Sequence, residues 1–145
     1  MNSFISLKKI SKSFSINKKI SVLKKINYSF SKGMIYSLMG PSGSGKSTLL
    51  NILSLIDKPT SGAMIIDNNE IDFSKTAIND VTRSKKIGII YQQNNLLPDF
   101  TALENVYLAS LALNDNKTKS IEKAKAIIKK MGLLSREHHY PSELS

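Results

Sequence analysis

The chain opens on two stretches in which apolar and polar positions alternate, Phe4 to Ile10 (FISLKKI) and Ile20 to Phe30 (ISVLKKINYSF), separated by a polar Ser/Asn/Lys segment. A period of two puts every second side chain on one face, so both are predicted as antiparallel strands with one wet face. Ser31, Lys32 and Gly33 signal a turn, and Met34 to Met39 (MIYSLM) follows as a short apolar run of buried-strand length. From Lys46 the period changes. Leu49, Leu50, Ile52, Leu53 and Ile56 cover most of a cylinder, which predicts a mostly buried helix ended by Asp57, Lys58 and Pro59.

Further on, Ala63 to Ile66 and Glu70 to Phe73 flank Asp67, Asn68 and Asn69, residues that tolerate positive φ, and the pattern reads as a hairpin. Ile87 to Tyr91 (IGIIY) is a second run of buried-strand length. After Tyr91 the glutamines, asparagines and Pro98 predict a loop, followed by helices over about Ala102 to Leu113 and Lys117 to Met131, with Gly132 as the C-cap. In the last helix Ile121, Ala124, Ile128 and Met131 fall on one stripe and the lysines take the other face.

The chain has 145 residues, 41% hydrophobic and 22% charged, enough for one domain with a core. No cysteine is present, which leaves no disulfide frame or thiolate nucleophile and fits a reducing compartment. The longest apolar stretches fall far short of the roughly 18 to 20 residues that span a bilayer. The order MNSFISLKKISKSF is not that of a signal peptide, because no long apolar run follows the lysines. Net charge is +10, and nine lysines from Lys8 to Lys46 precede the first acid, Asp57. Such a field favours anionic partners. Nucleic acid is not expected, since arginine is scarce and no helix-turn-helix, zinc finger or aromatic RNP pattern occurs.

One segment carries chemistry. Gly40, Pro41, Ser42, Gly43, Ser44, Gly45, Lys46, Ser47 and Thr48 fit G-x-x-x-x-G-K-[ST] and stand between a predicted buried strand and an amphipathic helix. Gly43 and Gly45 let the backbone curl so that successive N–H groups point inward, and the helix adds its own unpaired amides to the same anion cradle. In such a loop the lysine, Lys46, reaches the β- and γ-phosphates and the hydroxyl, Ser47, helps to hold Mg²⁺. The loop alone does not name the reaction. Asp67 and Asn69 begin like a calcium loop, but Asp72 stands where glycine is required and Ile78 where glutamate is, so calcium is rejected.

Three further stretches carry a resemblance: GPSGSGKSTLLN followed by DKPTSG; Tyr91 to Pro98 (YQQNNLLP) with Thr101 to Val106 (TALENV); and the ending His139 to Ser145 (HYPSELS). Together they resemble the ATP-binding subunits of ABC transporters, from about residue 4 to the last residue, and most resemble the LolD-like branch serving lipoprotein release and macrolide export. The resemblance implies an α/β fold: a P-loop ATPase core with an N-terminal antiparallel β subdomain over residues 1–92, then the Q-loop and an incomplete helical subdomain over 93–145. It implies ATP and Mg²⁺ as cofactors, with residues 40–48 on the phosphates, Ser47 and Gln92 on the metal, and Lys46 and Gln92 in the catalytic role. Phe14 falls where the family places an aromatic that stacks on adenine; a core Phe on an edge strand is the other reading. Gln92 has a solvated loop amide as its alternative. His138 and His139 read as structural, the latter at a family position just before the signature.

The family pattern continues past Ser145 into a signature, a Walker B strand, a D-loop and a switch histidine, none of which occurs in residues 1–145. The Walker B strand normally lies beside the P-loop strand. Without it, Met34 to Met39 is expected to leave an apolar, unpaired edge. The implied function is coupling of ATP binding and hydrolysis to transport, with integral membrane subunits and a second ATP-binding subunit as partners, at the cytoplasmic face of the inner membrane. Two alternatives stand beside it: a non-hydrolysing ATP-binding remnant, and a small P-loop kinase. Such a kinase needs an Arg-rich lid, and only Arg83 and Arg136 are present.

Overall fold

Alternation over the first thirty residues becomes two long strands, β1 (Ser3–Ser15) and β2 (Lys19–Ser31), paired antiparallel. The computed structural model describes residues 3–15, 17–93, 95–113 and 116–144. Asn94 and Ser145, within two of the stretches that carry the resemblance, lie outside the described residues. The chain divides into two compact units, Met1–Ile89 and Ile90–Ser145.

In the first unit the sheet runs β2-β1-β3-β4, with β3 at Ser61–Ile66 and β4 at Asn69–Glu70. The predicted hairpin forms with a shorter second arm, Asn69–Glu70 in place of Glu70 to Phe73: Asp67 and Asn68 alone make the turn, with φ of 53° and 64°, the doubly left-handed geometry that matches strand twist. Both long strands are bulged. Lys9 and Lys25 adopt φ of 52° and 49°, and the β1–β3 register shifts between Lys8 and Ser11, so that Lys9 and Ile10 stand opposite Gly62 alone. Local side chains satisfy the disrupted ladder: Asn27 Oδ1 accepts the Lys9 N–H at 2.9 Å and Ser11 Oγ accepts that of Lys25 at 3.0 Å.

One face of this sheet is covered by α1 (Lys46–Leu53), and the core is Leu7 and Ile10 of β1, Leu23 of β2, Leu49 and Ile52 of α1, Leu55, and Met64 and Ile66 of β3. Each such side chain, fully buried, contributes about 1.5–3 kcal/mol. The expectation of a mostly buried helix reaching Ile56 is corrected: α1 ends at Leu53, and Leu50 on it and Ile56 beyond it are exposed. A further helix, α2 (Thr76–Lys86), has too few apolar residues for its period to be seen. It is held instead by polar bonds: Asn79 Nδ2 donates to Asp72 C=O at 2.9 Å, and Arg83 Nη1 donates to Leu55 C=O at 3.0 Å beyond the end of α1.

The two apolar runs of strand length do not form strands. Met34 to Met39 and Ile87 to Tyr91 carry no ladder, and Ile35 and Ile90 are 99% and 100% exposed. A strand is held by ladder bonds to a neighbouring strand, and among the described residues neither run has one.

In the second unit α3 (Ala102–Leu111) packs against α4 (Lys117–Lys130) through Leu103, Ala124 and Ile128. The predicted stripe is corrected at both ends: Ser120 is fully buried, whereas Met131 is exposed. Gly132, φ 73°, follows the C-cap Met131, and Leu133 N–H returns to Ile128 C=O at 3.0 Å, closing the helix. Two short 3₁₀ turns follow, at Leu134–Arg136 and Pro141–Glu143. Among the described residues no helix is long and apolar enough to cross a membrane.

Candidate functional site

The glycine-rich loop enters α1 through Gly45, the N-cap residue, at φ 92°. A Cβ there would lie 3.0 Å from both Val22 Cγ1 and Leu23 Cδ2, so a side chain would crowd these methyls in addition to straining the backbone. Having no side chain, Gly45 makes no capping bond, and the first helical bond runs from Leu49 N–H to Gly45 C=O at 2.9 Å. The amides of the opening turn therefore point out of the helix end together with its positive dipole, an arrangement suited to phosphate oxygens.

Val22, Ser42, Gly43, Gly45, Lys46, Ser47 and Thr48 line an open concavity of 320 Å³ at this end. Gly40 and Gly43 also have positive φ, and Ser44 N–H donates to Pro41 C=O at 3.3 Å, so residues 40–45 curl tightly. Lys46 Nζ folds back over the loop and donates to the carbonyls of Gly40 at 2.8 Å and Pro41 at 2.7 Å. The ammonium is thereby tied to the start of the loop. Ser47 is exposed at the start of α1.

Phe14 lies on β1, outside the lining of this concavity; the residue is 40% exposed, and Lys12 Nζ lies 5.0 Å from its ring centroid. Lys12 in turn donates to Asp57 Oδ1 at 2.6 Å and to Lys58 C=O at 2.7 Å. Sequence reasoning passed over Lys12, one lysine among many, and Val22, whose place at the cradle no alternating pattern reveals.

Gln92 is exposed in a bend of the second unit. Beyond it the chain leads into α3, which opens with a reciprocal cap: Glu104 N–H donates to Thr101 Oγ1 at 3.3 Å, and Glu104 Oε2 accepts from Thr101 N–H at 2.8 Å and Thr101 Oγ1 at 2.9 Å. The Thr101 amide and then its hydroxyl hold the Glu104 carboxyl below the usual carboxylate range, against a smaller opposing effect of desolvation and with lesser help from Lys117 and His138. A depressed folded-state value stabilises at pH above the ordinary carboxylate range, and that stability is lost as pH falls through the folded value. Glu104→Gln is therefore expected to flatten the acid limb of the stability curve below the ordinary carboxylate range, measured by urea unfolding at each pH.

The turn before Pro141 closes on the same helix end: Ala102 N–H donates to His139 C=O at 2.8 Å and Leu103 N–H to Glu137 C=O at 2.9 Å. His138 is exposed, 3.3 Å from Glu137 Oε1, while His139 Nδ1 is buried without a partner among the described residues. Neither belongs to a cluster of three ligating side chains among the described residues.

A sheet covered by a glycine-entered helix, with a lysine and a hydroxyl consecutive at its opening, is the mark of a P-loop nucleotide-binding fold. The chain belongs to the ABC transporter family, whose profile matches residues 23–145. It is 45% identical over 145 residues to the lipoprotein-releasing system ATP-binding protein LolD of Rickettsia bellii, a match covering 99% of this chain and 63% of that relative. Among solved structures it superposes on MJ0796, a bacterial ABC transporter cassette in dimeric form, with a TM-score of 0.83 and 37% identity over 97% of this chain and 63% of that one. The same cassette in a post-hydrolysis state bound to ADP and Pi gives 0.82 and 36%, with the same coverage of both chains. The chain thus spans just under two thirds of the length of these relatives.

Proposed function

We propose that this chain is the nucleotide-binding part of an ABC transporter ATP-binding subunit that couples ATP binding and hydrolysis to lipoprotein release. The observation that carries the reading is the cradle at residues 40–48: a helix end without a side-chain cap, a curled loop and the Lys46 ammonium bonded to the loop carbonyls of Gly40 and Pro41. Residues 1–92 form the ATP-binding core with its β subdomain, and 93–145 the Q-loop and part of a helical subdomain. Lys46 and the loop amides bind the phosphates. The exposed Ser47 hydroxyl, a hard oxygen donor, fits Mg²⁺, which takes few protein ligands and completes its shell with water and phosphate oxygens, and the family resemblance adds Gln92 as a second metal residue. When bound, the ion neutralises charge developing on the phosphates. Phe14 presents part of its ring for stacking on the base.

The identity to a LolD subunit supports the lipoprotein-release branch, and the dimeric cassette supports pairing with a second ATP-binding subunit. Integral membrane subunits complete the assembly, with this chain peripheral at the cytoplasmic face of the inner membrane. Residues 1–145 hold no signature or Walker B sequence, so by itself the chain is expected to bind nucleotide without turnover. Calorimetric titration of the 145-residue chain with Mg-ATP tests the reading. Lys46→Ala removes charge-assisted bonds worth about 1.5–3 kcal/mol, and so weakens binding by roughly 10- to 150-fold. Equal affinity for the variant and the wild type would refute it.

A further inference from the structure

Lys12 is buried on a strand whose other lysines, Lys8 and Lys9, are exposed. Its ammonium is fixed by two acceptors, Asp57 Oδ1 and Lys58 C=O, both in the turn that follows α1. That turn is laced to β1 on either side of Lys12: Thr60 N–H donates to Ser11 C=O at 2.8 Å, and Ser13 N–H donates to Thr60 Oγ1 at 3.0 Å. It is tied to α1 as well, since Ile56 N–H and Asp57 N–H both donate to Asn51 C=O, at 2.9 and 3.1 Å. The ammonium therefore has one defined position. For stability alone, an apolar pair of the same volume would serve without the cost of desolvating charge.

The ammonium does one thing that an apolar side chain could not. It stands over the Phe14 ring, whose negative face attracts a cation. Residues two apart on a strand share a face, so Lys12 and Phe14 meet without distortion. Phe14 has need of such a neighbour, because a phenyl ring has no polar atom to orient it and Ile20, its partner across the ladder, is 59% exposed. The cradle lies along the same hairpin: Lys12 pairs with Leu23, and Leu23 and Val22 are the two side chains that crowd Gly45.

We infer that Lys12 is a positioning residue for Phe14: its ammonium, held by the turn beyond α1, fixes the ring in the orientation in which it stacks on the nucleotide base. This rests on the proposed stacking role of Phe14. The helix α1 then serves the nucleotide from both ends, its N-terminus at the phosphates and the turn after its C-terminus, through Lys12, at the base.

Inorganic tripolyphosphate carries phosphates without a base, so the preference of the 145-residue chain for ATP over tripolyphosphate, measured by titration, isolates the base contact. Phe14→Ala is expected to lower that preference roughly 5- to 150-fold. Lys12→Met is expected to lower it about fivefold, with tripolyphosphate affinity unchanged, and to have no further effect in the Phe14→Ala background. Lys12→Arg keeps a cation over the ring and recovers most of the preference. Should Lys12→Met not fold, Asp57→Asn stands in for it: the acceptor oxygen stays, its charge goes, and the preference falls in the same direction. The chain has no tryptophan, so Phe14→Trp supplies a single fluorophore whose anisotropy reads the freedom of the ring, and Lys12→Met is expected to lower that anisotropy before nucleotide is added. A wild-type preference in whichever of Lys12→Met and Asp57→Asn folds, or an equal loss of ATP and tripolyphosphate affinity there, overturns the role of Lys12 while the loss in Phe14→Ala stands. A wild-type preference in Phe14→Ala overturns the stacking reading and this inference with it.

Discussion

Gly62→Ala is expected to destabilise the first unit by about 3 kcal/mol or more, a shift of roughly 150-fold in the unfolding equilibrium. Gly62 lies in β3 at φ 99°, opposite the bulge in β1. A Cβ there would come within 2.4 Å of Lys9 O, 2.6 Å of Lys9 C and 2.7 Å of Ile10 Cα. All three are backbone atoms, so no side-chain rotation relieves the contact. Moving them means opening the β1–β3 ladder beside Ile10, which is wholly buried. Gly33→Ala is the control, because its φ of 77° is comparable but its Cβ would meet nothing within 4 Å. That variant isolates the conformational cost, about 1–2 kcal/mol. Urea midpoints for the two separate the terms, and equal losses would show that the crowding at Lys9 relaxes without cost.

Why Gly62 escapes sequence reasoning explains where such reasoning succeeds elsewhere. The strands β1 and β2, the Asp67–Asn68 turn and the close of α4 at Gly132 each follow from residues within a few positions of one another. The cradle is legible for the same reason: its glycines, Lys46 and Ser47 are consecutive, and they act largely through backbone they themselves shape. The demand at Gly62 is set by a bulge some fifty positions earlier, at Lys9, where nothing marks an extra residue. Likewise Met34 to Met39 and Ile87 to Tyr91 advertise burial, but burial is a property of a pair. Among the described residues no partner strand is present, and Ile35 and Ile90 stand open. The helix α2 fails in the opposite sense, since its anchors are the Asn79 amide and the Arg83 guanidinium, which no apolar period can report. Motif resemblance singles out Gln92 and Phe14 by position, yet not Lys12, whose ammonium stands over the Phe14 ring.

Lys12 carries the second large effect: Lys12→Ala is expected to cost about 3 kcal/mol, the lower end of the range for breaking a buried ion pair. Only 8% of Lys12 is exposed, and its ammonium joins β1 to the turn beyond α1 through Asp57 Oδ1 and Lys58 C=O. Truncation leaves a carboxylate whose side chain is 31% exposed without its cation, strands the Lys58 carbonyl and removes a buried aliphatic stem. Lys12→Met keeps the stem and removes the charge, so the difference between the two variants measures packing alone. A double-mutant cycle with Asp57→Asn isolates the pair. Because the ammonium is largely shielded from solvent, the coupling should persist at about 0.5 M salt, where an exposed pair is screened within a few ångströms. Coupling that vanished there would place the ion pair at the surface and leave Lys58 C=O as the partner that matters. The same ammonium sits over the Phe14 ring, so Lys12→Met also frees that ring from its fixed neighbour, and a change in ATP affinity beyond the change in stability would tie Phe14 to the nucleotide.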